Sequence, residues 1–396
     1  MKRRDFLKFL SLVSLYSPTA LTKNLNKKRI TVVGAGIVGS CIAHELSRLG
    51  ENVTLIDKST PGSGTSGKSF NWINATYPKK PYSYNYLSQL GLDAYIDLKK
   101  HIDFPITWNG SLEWFLDLAN QDNLIANVNN LLAYPTHSPH KIINNIQATR
   151  YEPNVEFMGN NNIVYSLSDG AIDATETIKN LVDKSIFNGA KVINNCALIN
   201  LVHKNNKLVS INTSLGEIKS DLIILATGID TNNLIHKKVL KKPTAGIIIK
   251  TKPYKKVINK IIVGPGIHIH QQDDGRLIIG EQDGAPLNHN DRLSGYPTKF
   301  PLKSFEDKHT NMIIDKAKSF IKNIDNIEIE SVDIGWRPLP LDGLPVVGFT
   351  NNSYDTYAAV MHSGISIGPI IGKLVAQEIT ENIDSILLKD FRPSRF

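Results

Sequence analysis

A glycine-rich turn near the start of the chain has the spacing that holds the pyrophosphate of a dinucleotide. Its residues are Gly34, Ala35, Gly36, Ile37, Val38 and Gly39. The first glycine permits a tight turn, the second lets the backbone approach a phosphate, and the third lets a helix pack against a strand. The free amides at the start of that helix present a partial positive charge to the phosphates. The turn therefore predicts a dinucleotide site.

An acidic residue and the flanking pattern support this prediction. Asp57 stands 18 residues after Gly39, where a carboxylate accepts hydrogen bonds from ribose hydroxyls. The adjacent Lys58 is a further candidate for cofactor contact. Apolar runs at 30–33 and 53–56 predict buried strands, and helical spacing between them predicts a helix that ends near Gly50. Together these elements form a βαβ unit that positions the turn.

Two later segments favour FAD over NAD as the dinucleotide. The loop at 62–69 is rich in glycine and hydroxyl side chains, which suit a pyrophosphate and the flavin end. A second segment, the apolar run at 222–225, predicts another buried strand and ends in small residues that allow close approach to a cofactor. The candidate contacts in these two segments are Thr65, Ser66, Lys68, Ser69, Ala226, Thr227 and Gly228.

In four blocks, the sequence resembles the D-amino-acid oxidase-like (DAO) family of FAD-dependent oxidoreductases, which includes glycine oxidase, sarcosine oxidase and D-amino-acid dehydrogenase. The blocks are the βαβ unit, the loop at 64–74, the segment at 222–228 and a C-terminal block at 335–365. Their order and the length of chain that they cover make the resemblance specific. The resemblance implies an enzyme with FAD as its cofactor.

The resemblance also assigns roles to residues outside the glycine turn. It implies that Arg337, in an Arg-Pro pair, holds the substrate carboxylate, a role suited to a guanidinium with two parallel donors. A structural salt bridge is the alternative for this arginine. Ala197 is expected at the adenosine. The remaining implied contacts, at the flavin end of a helix predicted over 365–379, are Ser363, Gly364, Ile365 and Ser366.

Three histidines are candidates for a proton relay, although the sequence shows no obligatory base. His362 stands beside the expected flavin turn, with a purely structural role as its alternative. His268 and His270 alternate in a predicted strand and therefore share one face. That face lines either the substrate cavity or the solvent. No third ligand accompanies the pair, so we expect no metal site.

The expected fold class is α/β, with a Rossmann-type FAD-binding domain interleaved with an α+β substrate domain. The FAD-binding domain is expected to collect 29–80, 150–243 and 336–394. The substrate domain is expected to collect 81–149 and 244–335 around a mostly antiparallel sheet. Its predicted strands include the apolar runs at 247–249, 261–263 and 277–279.

The implied reaction transfers a hydride from the carbon that bears an amine to the flavin, after which the imine hydrolyses. The implied substrate is a D-amino acid, glycine or an N-methyl amino acid, with oxygen or a quinone as electron acceptor. Two alternatives remain: a flavin dehydrogenase of a hydroxy acid or polyol, and an exported flavin-binding protein without catalysis. We expect non-covalent FAD, because the relatives with a cysteine attachment point carry it near the C-terminal turn and this chain has no cysteine after Cys196.

Composition and charge exclude several other classes. The 396 residues carry a formal net charge of +8, but the basic residues are scattered. They form no basic stripe interleaved with aromatic residues, so we expect no nucleic-acid partner. The two cysteines, Cys41 and Cys196, cannot supply a disulfide framework or a metal spacing.

The first 22 residues have the pattern of an export signal. A basic start with paired Arg3 and Arg4 is followed by an apolar stretch at 9–15 and small residues at 17–20. The pair resembles a twin-arginine signal, although Lys2 stands where that signal usually has Ser or Thr. We therefore expect a periplasmic or otherwise exported protein. The alternative is an uncleaved N-terminus that contacts or anchors to the membrane surface, since the apolar stretch is too short to span it.

Overall fold

The computed structural model describes residues 27–76, 79–159, 162–235, 237–281, 293 and 295–396. The predicted signal at 1–22 lies outside these residues. None of the helices in the described ranges has both the length and the apolar character needed to cross a membrane.

A six-stranded sheet carries the glycine turn. Its spatial order is β19-β20-β13-β1-β2-β9, and every neighbouring pair is parallel except β19 with β20. Because β1 lies between β13 and β2, the turn that follows β1 opens at the carboxyl edge between two flanking strands, where open sheets of this kind bind ligands. The strands are β1 (Arg29–Val33), β2 (Asn52–Ile56), β9 (Lys191–Ile193), β13 (Leu222–Leu225), β19 (Val346–Phe349) and β20 (Thr356–Val360).

An eight-stranded sheet of order β18-β14-β17-β16-β15-β5-β7-β6 forms the second layer. Its neighbours are antiparallel except β15 with β5. One face buries isoleucines against a helix at 303–318, and the other face packs on Phe70. The strands are β5 (Ser111–Glu113), β6 (His140–Ile143), β7 (Ile163–Ser166), β14 (Thr244–Thr251), β15 (Ile261–Val263), β16 (Ile267–Gln271), β17 (Leu277–Glu281) and β18 (Ile329–Arg337).

Two three-stranded sheets complete the strands of the described residues. The first has the order β3-β8-β4 and lies where the loop after the glycine turn meets the second layer. The second has the order β10-β11-β12 and follows β9. The strands are β3 (Trp72–Ile73), β4 (Ile106–Thr107), β8 (Gly170–Ile172), β10 (Leu198–Lys204), β11 (Lys207–Thr213) and β12 (Gly216–Lys219).

The helices cover the first sheet and one face of the second. They are α1 (Ile37–Arg48), α2 (Tyr82–Leu98), α3 (Leu118–Asn130), α4 (Asn145–Tyr151), α5 (Ala174–Phe187), α6 (Thr231–Ile235), α7 (Lys303–Lys318) and α8 (Gly364–Glu381). Helices α1 and α8 approach each other closely, and a Cβ at Gly372 would come within 2.8 Å of the Cys41 backbone. Helix α8 is buried around most of its circumference because α1 and α2 both pack on it.

This architecture confirms the predicted fold class, a Rossmann-type sheet interleaved with a mostly antiparallel one. Two segments lie across the boundaries that we expected between the domains. Helix α2 falls in the segment expected for the substrate domain, yet its apolar residues join the core around α1 and α8. Strand β7 falls in the segment expected for the FAD-binding domain, yet it pairs with β5 and β6. Neither the packing of α2 nor the pairing of β7 can be predicted from local periodicity.

Candidate active site

The glycine turn forms a cradle whose backbone leaves no room for side chains. Gly34 has a φ of +99°, and a Cβ there would lie 2.5 Å from the carbonyl oxygen of Ala226. A Cβ at Gly39 would overlap the carbonyl oxygen of Gly34. The absence of side chains at these two glycines lets β1, the start of α1 and the end of β13 pack closely at the carboxyl edge of the sheet. Such an edge suits a pyrophosphate.

Asp57 stabilises the cradle directly. Its Oδ2 accepts the Ala35 N–H at 2.7 Å, and its Oδ1 accepts the Ser59 N–H at 2.8 Å. The Ile37 N–H donates to Ser66 Oγ at 3.1 Å, which ties the loop after β2 to the start of α1. Each carboxylate oxygen retains a lone pair for a ribose hydroxyl. The predicted ligand residue is therefore also a structural support of the turn.

Other predicted cofactor residues gather at the same carboxyl edge. The Lys58 ammonium donates to Asp230 Oδ2 at 2.6 Å, and this pair joins the ends of β2 and β13. Ala197 exchanges hydrogen bonds with Ser214, and its neighbour Cys196 donates to the Asp57 carbonyl at 2.7 Å. Thr227 Oγ1 lies 3.0 Å from Thr231 Oγ1, and Gly228 has a φ of +55°.

The loop that contains Thr65, Ser66, Lys68 and Ser69 connects the two layers. Thr65 Oγ1 donates to the Trp336 carbonyl at 2.6 Å, directly before Arg337. Lys68 Nζ donates to the Ser63 carbonyl at 2.5 Å, and Ser69 Oγ donates to the Ser66 carbonyl at 3.0 Å. The loop therefore fixes the predicted substrate arginine relative to the cradle.

The start of α8 is held by side chains from α2 and by the chain around β3. Tyr84 donates its hydroxyl to Ser363 Oγ at 2.7 Å, and Tyr95 donates to the Ile365 carbonyl at 2.6 Å. Ser366 Oγ accepts the Asn74 N–H at 3.2 Å. Gly364 packs on Val38, since a Cβ there would lie 3.2 Å from the Val38 side chain. The predicted flavin turn and the cradle are thus in direct contact.

Arg337 presents a guanidinium with no intramolecular partner in the described ranges. Strand pairing places Arg337 opposite Thr244, and the guanidinium lies over Gly246, where a Cβ would approach its terminal nitrogen to 3.1 Å. The residue is half-buried, and burial lowers the pKa of the guanidinium while the charge of Glu281 raises it. Since no carboxylate of the described residues lies within 4.0 Å, the structural salt bridge weighed as an alternative is absent there. The group is available to a ligand carboxylate.

His268 lies on the same face of the second sheet. Its Nε2 is buried without a hydrogen-bond partner among the described residues, and it occupies the space that a Cβ at Gly280 would fill. The ring lies 4.0 Å from that of Phe70 between centroids. Burial, then the charge of Arg337, lowers the pKa of His268 to about 3.

His270 is held by the loop that crosses this face. Its Nε2 is 3.0 Å from the Phe70 carbonyl, and burial lowers its pKa to about 4. Phe70 therefore covers both histidines of β16. The alternative that His268 and His270 face the solvent is wrong, because the loop at 69–74 lies over this face of the sheet.

His362 stands directly before the flavin turn. Part of its side chain is open to the crevice, yet burial by its surroundings and the charges of Arg337 and Lys79 lower its pKa to about 4. The imidazole is neutral near pH 7 and has a free lone pair to accept a proton. An anionic ligand on Arg337 would raise the proton affinity of the His362 imidazole. The role of His362 as a proton relay stays a prediction.

Sequence reasoning missed a buried polar cluster that lies beside the loop at 69–74. Asp169 Oδ2 accepts the Ser111 hydroxyl at 2.7 Å and the Trp72 indole N–H at 3.0 Å. Burial raises the pKa of Asp169 to about 7 and that of Glu113 to about 8, and it lowers the pKa of Lys79 to about 7. No local pattern distinguishes these residues from ordinary surface charges, since each is brought in by tertiary pairing.

Proteins that hold a dinucleotide at the carboxyl edge of one sheet and a ligand against a second sheet include many nucleotide-dependent oxidoreductases, and the fold places this chain among them. Within that class, the model of the family DAO, FAD dependent oxidoreductase, matches residues 29–378, and the chain therefore belongs to this family. The predicted resemblance, the enzyme class and the dependence on FAD are confirmed.

Three similar proteins each share about a fifth to a quarter of their aligned residues with this chain. Glycine oxidase of Bacillus subtilis is 21% identical over 92% of this chain and 96% of its own length. The bifunctional protein ThiO/ThiG of Trichormus variabilis is 26% identical over 50% of this chain, which spans only 28% of that protein. The crystal structure of L-proline dehydrogenase from P. horikoshii has a TM-score of 0.80 at 22% identity, with 93% of this chain and 98% of that one covered.

The residues present fit FAD. The cradle carries no side chains at Gly34 and Gly39, so its backbone can lie close to a pyrophosphate. Asn74, whose backbone N–H bonds to Ser366 in the first turn of α8, has an Oδ1 that is buried without a partner among the described residues, and so has Thr76 Oγ1 two residues later. Bound FAD supplies a ring that accepts a hydride. The chain contributes the phosphate cradle, the carboxylates and hydroxyls around it, and a guanidinium on the facing sheet.

Proposed function

We propose that this protein oxidises a small amino acid or amine, a D-amino acid, glycine or an N-methyl amino acid, by hydride transfer to FAD. The single observation that carries the proposal is the half-buried guanidinium of Arg337, which has no ion-pair partner in the described chain. A bidentate pair with a carboxylate orients the substrate, because the planar fork fixes both distance and direction. The names of the glycine oxidase and proline dehydrogenase relatives support this substrate class.

The chain's own groups then prepare the substrate. A carboxylate on Arg337 lies on the same sheet face as the neutral imidazole of His268, so the substrate amine can rest against apolar and uncharged groups. His362, neutral near pH 7, is our candidate to accept the proton that the amine releases. The imine product hydrolyses in water.

The test is anaerobic reduction of the bound flavin by a panel of glycine, D-amino acids and N-methylated amino acids. We expect bleaching by at least one of them, and Arg337→Ala should lower kcat/KM by about a hundredfold or more, since it removes a charge-assisted bidentate pair. Arg276→Lys is the matched control, because Arg276 forms exposed ion pairs with Asp274 and Glu330. Its kinetics should equal those of the wild type.

Two results would redirect the proposal. Bleaching only by a hydroxy acid or polyol would establish the dehydrogenase alternative. Flavin that no amine, amino acid or alcohol bleaches, together with an Arg337→Ala variant of unchanged ligand affinity, would establish a binding protein without catalysis. Hydrogen peroxide production in air, compared with reduction of a quinone analogue, decides between oxygen and a quinone as the electron acceptor.

We further propose that the FAD is held without a covalent bond. Both cysteines, Cys41 and Cys196, are buried and distant in sequence from the turn at 362–364. Acid precipitation of the purified protein should therefore leave the flavin in the supernatant. Flavin that stays with the precipitated chain would overturn this part of the proposal.

Export by the twin-arginine route is the last part of the proposal. It rests on the residues Arg3 and Arg4 and on the apolar stretch that follows them. Cell fractionation should find the wild type in the periplasm and an Arg3→Lys, Arg4→Lys double variant in the cytoplasm. Wild-type protein in the washed membrane fraction would favour the N-terminal anchor instead.

A further inference from the structure

Lys79 is a buried amine that the chemistry described so far does not use. Only 8% of its surface is exposed. Among the described residues its Nζ makes one hydrogen bond, to the Asn74 carbonyl at 2.9 Å, and no carboxylate lies within ion-pair distance. A buried ammonium has three donors to satisfy and a large desolvation cost, so a partly satisfied one indicates a ligand charge nearby.

Two tethers place this amine at the start of α8. Asn74 accepts from Lys79 through its carbonyl and donates its own N–H to Ser366 Oγ at 3.2 Å, within the first turn of that helix. The ring of Tyr84 lies 5.8 Å from Nζ, and the Tyr84 hydroxyl donates to Ser363 Oγ. Both connections end on residues that flank Gly364.

Asn74 also carries an unsatisfied acceptor, and Thr76, two residues later in the chain, carries a second one. Asn74 Oδ1 and Thr76 Oγ1 are buried and have no hydrogen-bond partner among the described residues. The Lys79 amine and Asn74 therefore lie beside a helix N-terminus, which itself favours negative charge, and the unsatisfied Thr76 hydroxyl follows in the same segment of chain. This set complements a ring edge with alternating carbonyl oxygens and N–H groups, such as the pyrimidine edge of a flavin.

We propose that Lys79 is a positioning residue for the cofactor, held against the start of α8 so that its ammonium compensates the negative charge that the flavin gains on reduction, with uptake of a proton from solvent. This inference rests on the proposed position of the flavin edge at Gly364. In the balanced step, the substrate C–H bond breaks and its hydride, with two electrons, goes to the flavin. A separate proton passes from water to the Lys79 amine, so the charge beside α8 is unchanged.

The surroundings of Lys79 give this step its pH range. Burial lowers the pKa of Lys79 to about 7, and the charge of Asp169 opposes that shift. The other titratable groups that face this region are His362, Tyr84 and, through Asp169, Glu113. Below pH 7 the amine is charged before reduction and takes up no proton. Above pH 7 it is neutral in the oxidised protein, and reduction raises its pKa and draws a proton in.

The experiment measures the midpoint potential of the purified holoenzyme between pH 6 and pH 9, without substrate. On two-electron reduction, the wild type should take up one more proton above pH 7 than it does below pH 7. This additional proton makes reduction a further tenfold less favourable for each pH unit, so the midpoint potential should fall by about 30 mV more per pH unit. Lys79→Met should remove this additional slope. At pH 6 the variant should also be about tenfold or more harder to reduce, since it lacks a nearby charge.

Matched variants separate Lys79 from its neighbours. Lys80→Met is the control, because Lys80 is exposed and contacts only Asn127 at 3.4 Å in the hydrogen bonds described, and it should behave as the wild type. Asp169→Asn should keep the additional proton. A Lys79→Met profile equal to that of Lys80→Met, or an additional proton that vanishes only in Asp169→Asn, would overturn the assignment.

The wild-type profile alone keeps the inference testable if Lys79→Met does not fold, because a constant slope from pH 6 to pH 9 contradicts it. Failure of the proposed function looks different. In that case no amino acid reduces the flavin, whereas the potentials, which need no substrate, still show whether Lys79 is coupled to reduction.

Discussion

The cradle at 34–39 and the sheet face around Arg337 are built on different principles. In the cradle the contacts are between backbone atoms, such as Gly39 against the carbonyl of Gly34 and the Gly62 N–H on the Ala35 carbonyl at 2.9 Å. On the sheet face the contacts are between side chains and the empty positions left by glycines on neighbouring strands, as where the Arg337 guanidinium lies over Gly246.

The two halves of the site should therefore respond differently to substitution. A backbone cradle has no way to relax around an added methyl group, so binding of the dinucleotide is retained or lost. A guanidinium at the end of a flexible stem can shift by a few tenths of an ångström, so the affinity for substrate changes gradually. Three substitutions, of Gly39, Gly246 and Asp57, test this contrast.

Gly39→Ala should abolish FAD binding. The added Cβ overlaps the Gly34 carbonyl oxygen and would push α1 away from β1, which costs roughly 1–3 kcal/mol of folding stability or more. The measurement is the ratio of flavin to protein absorbance in the purified variant, with thermal unfolding beside it. Gly64→Ala is the control, since a Cβ at Gly64 meets no atom within 4 Å, and it should keep its flavin. A yellow Gly39→Ala protein would show that the cradle can relax.

Gly246→Ala should weaken substrate binding and leave the flavin in place. Its Cβ would approach the Arg337 guanidinium to 3.1 Å and displace it by a few tenths of an ångström, for which we expect KM to rise about tenfold, below the hundredfold typical of a 1 Å error. Steady-state kinetics with an amino acid and with an amine that lacks a carboxylate are the measurement. Only the carboxylate substrate should be affected, and an equal loss for both would contradict the placement of Arg337.

Asp57→Asn should have the smallest effect, a reduction of FAD affinity by a factor of roughly 3 to 30, as expected for one or two hydrogen bonds. The amide oxygen can still accept from one of the two backbone donors, Ala35 or Ser59, but the other bond and the negative charge are lost. Equilibrium titration of the flavin-free protein with FAD measures the change. Complete loss of binding would mean that Asp57 acts mainly as a support of the turn.

The local elements of the fold that position the candidate site could be predicted from the sequence. The glycine turn, the βαβ unit and the strand before Ala226 each lie within a short segment whose periodicity and turn residues specify them. Arg337 was assigned through the family resemblance of its Arg-Pro pair, and its role stays a prediction. In each case the residues that carry the chemistry are neighbours in sequence of the residues that position them.

The remaining parts of the candidate site depend on the register between paired strands and on the course of the loops. That Gly246 faces Arg337 and Gly280 faces His268 follows from the pairing of β14 with β18 and of β16 with β17, which no single segment encodes. Lys79 cannot be told from Lys80 by its neighbours, and only the fold buries one and exposes the other. The expected domain boundaries at 81 and 150 missed α2 and β7 for the same reason.

The contact between α1 and α8 has a consequence for how the protein is made. Helix α8 leaves the ribosome roughly three hundred residues after α1, which at about 5–20 residues per second is a delay of about 15–60 seconds. During that time the apolar side of α1 around Cys41, which α8 covers at Gly372, has no partner from its own chain. Helix α1 therefore acquires its complete packing only at the end of biosynthesis, after α8 has been made.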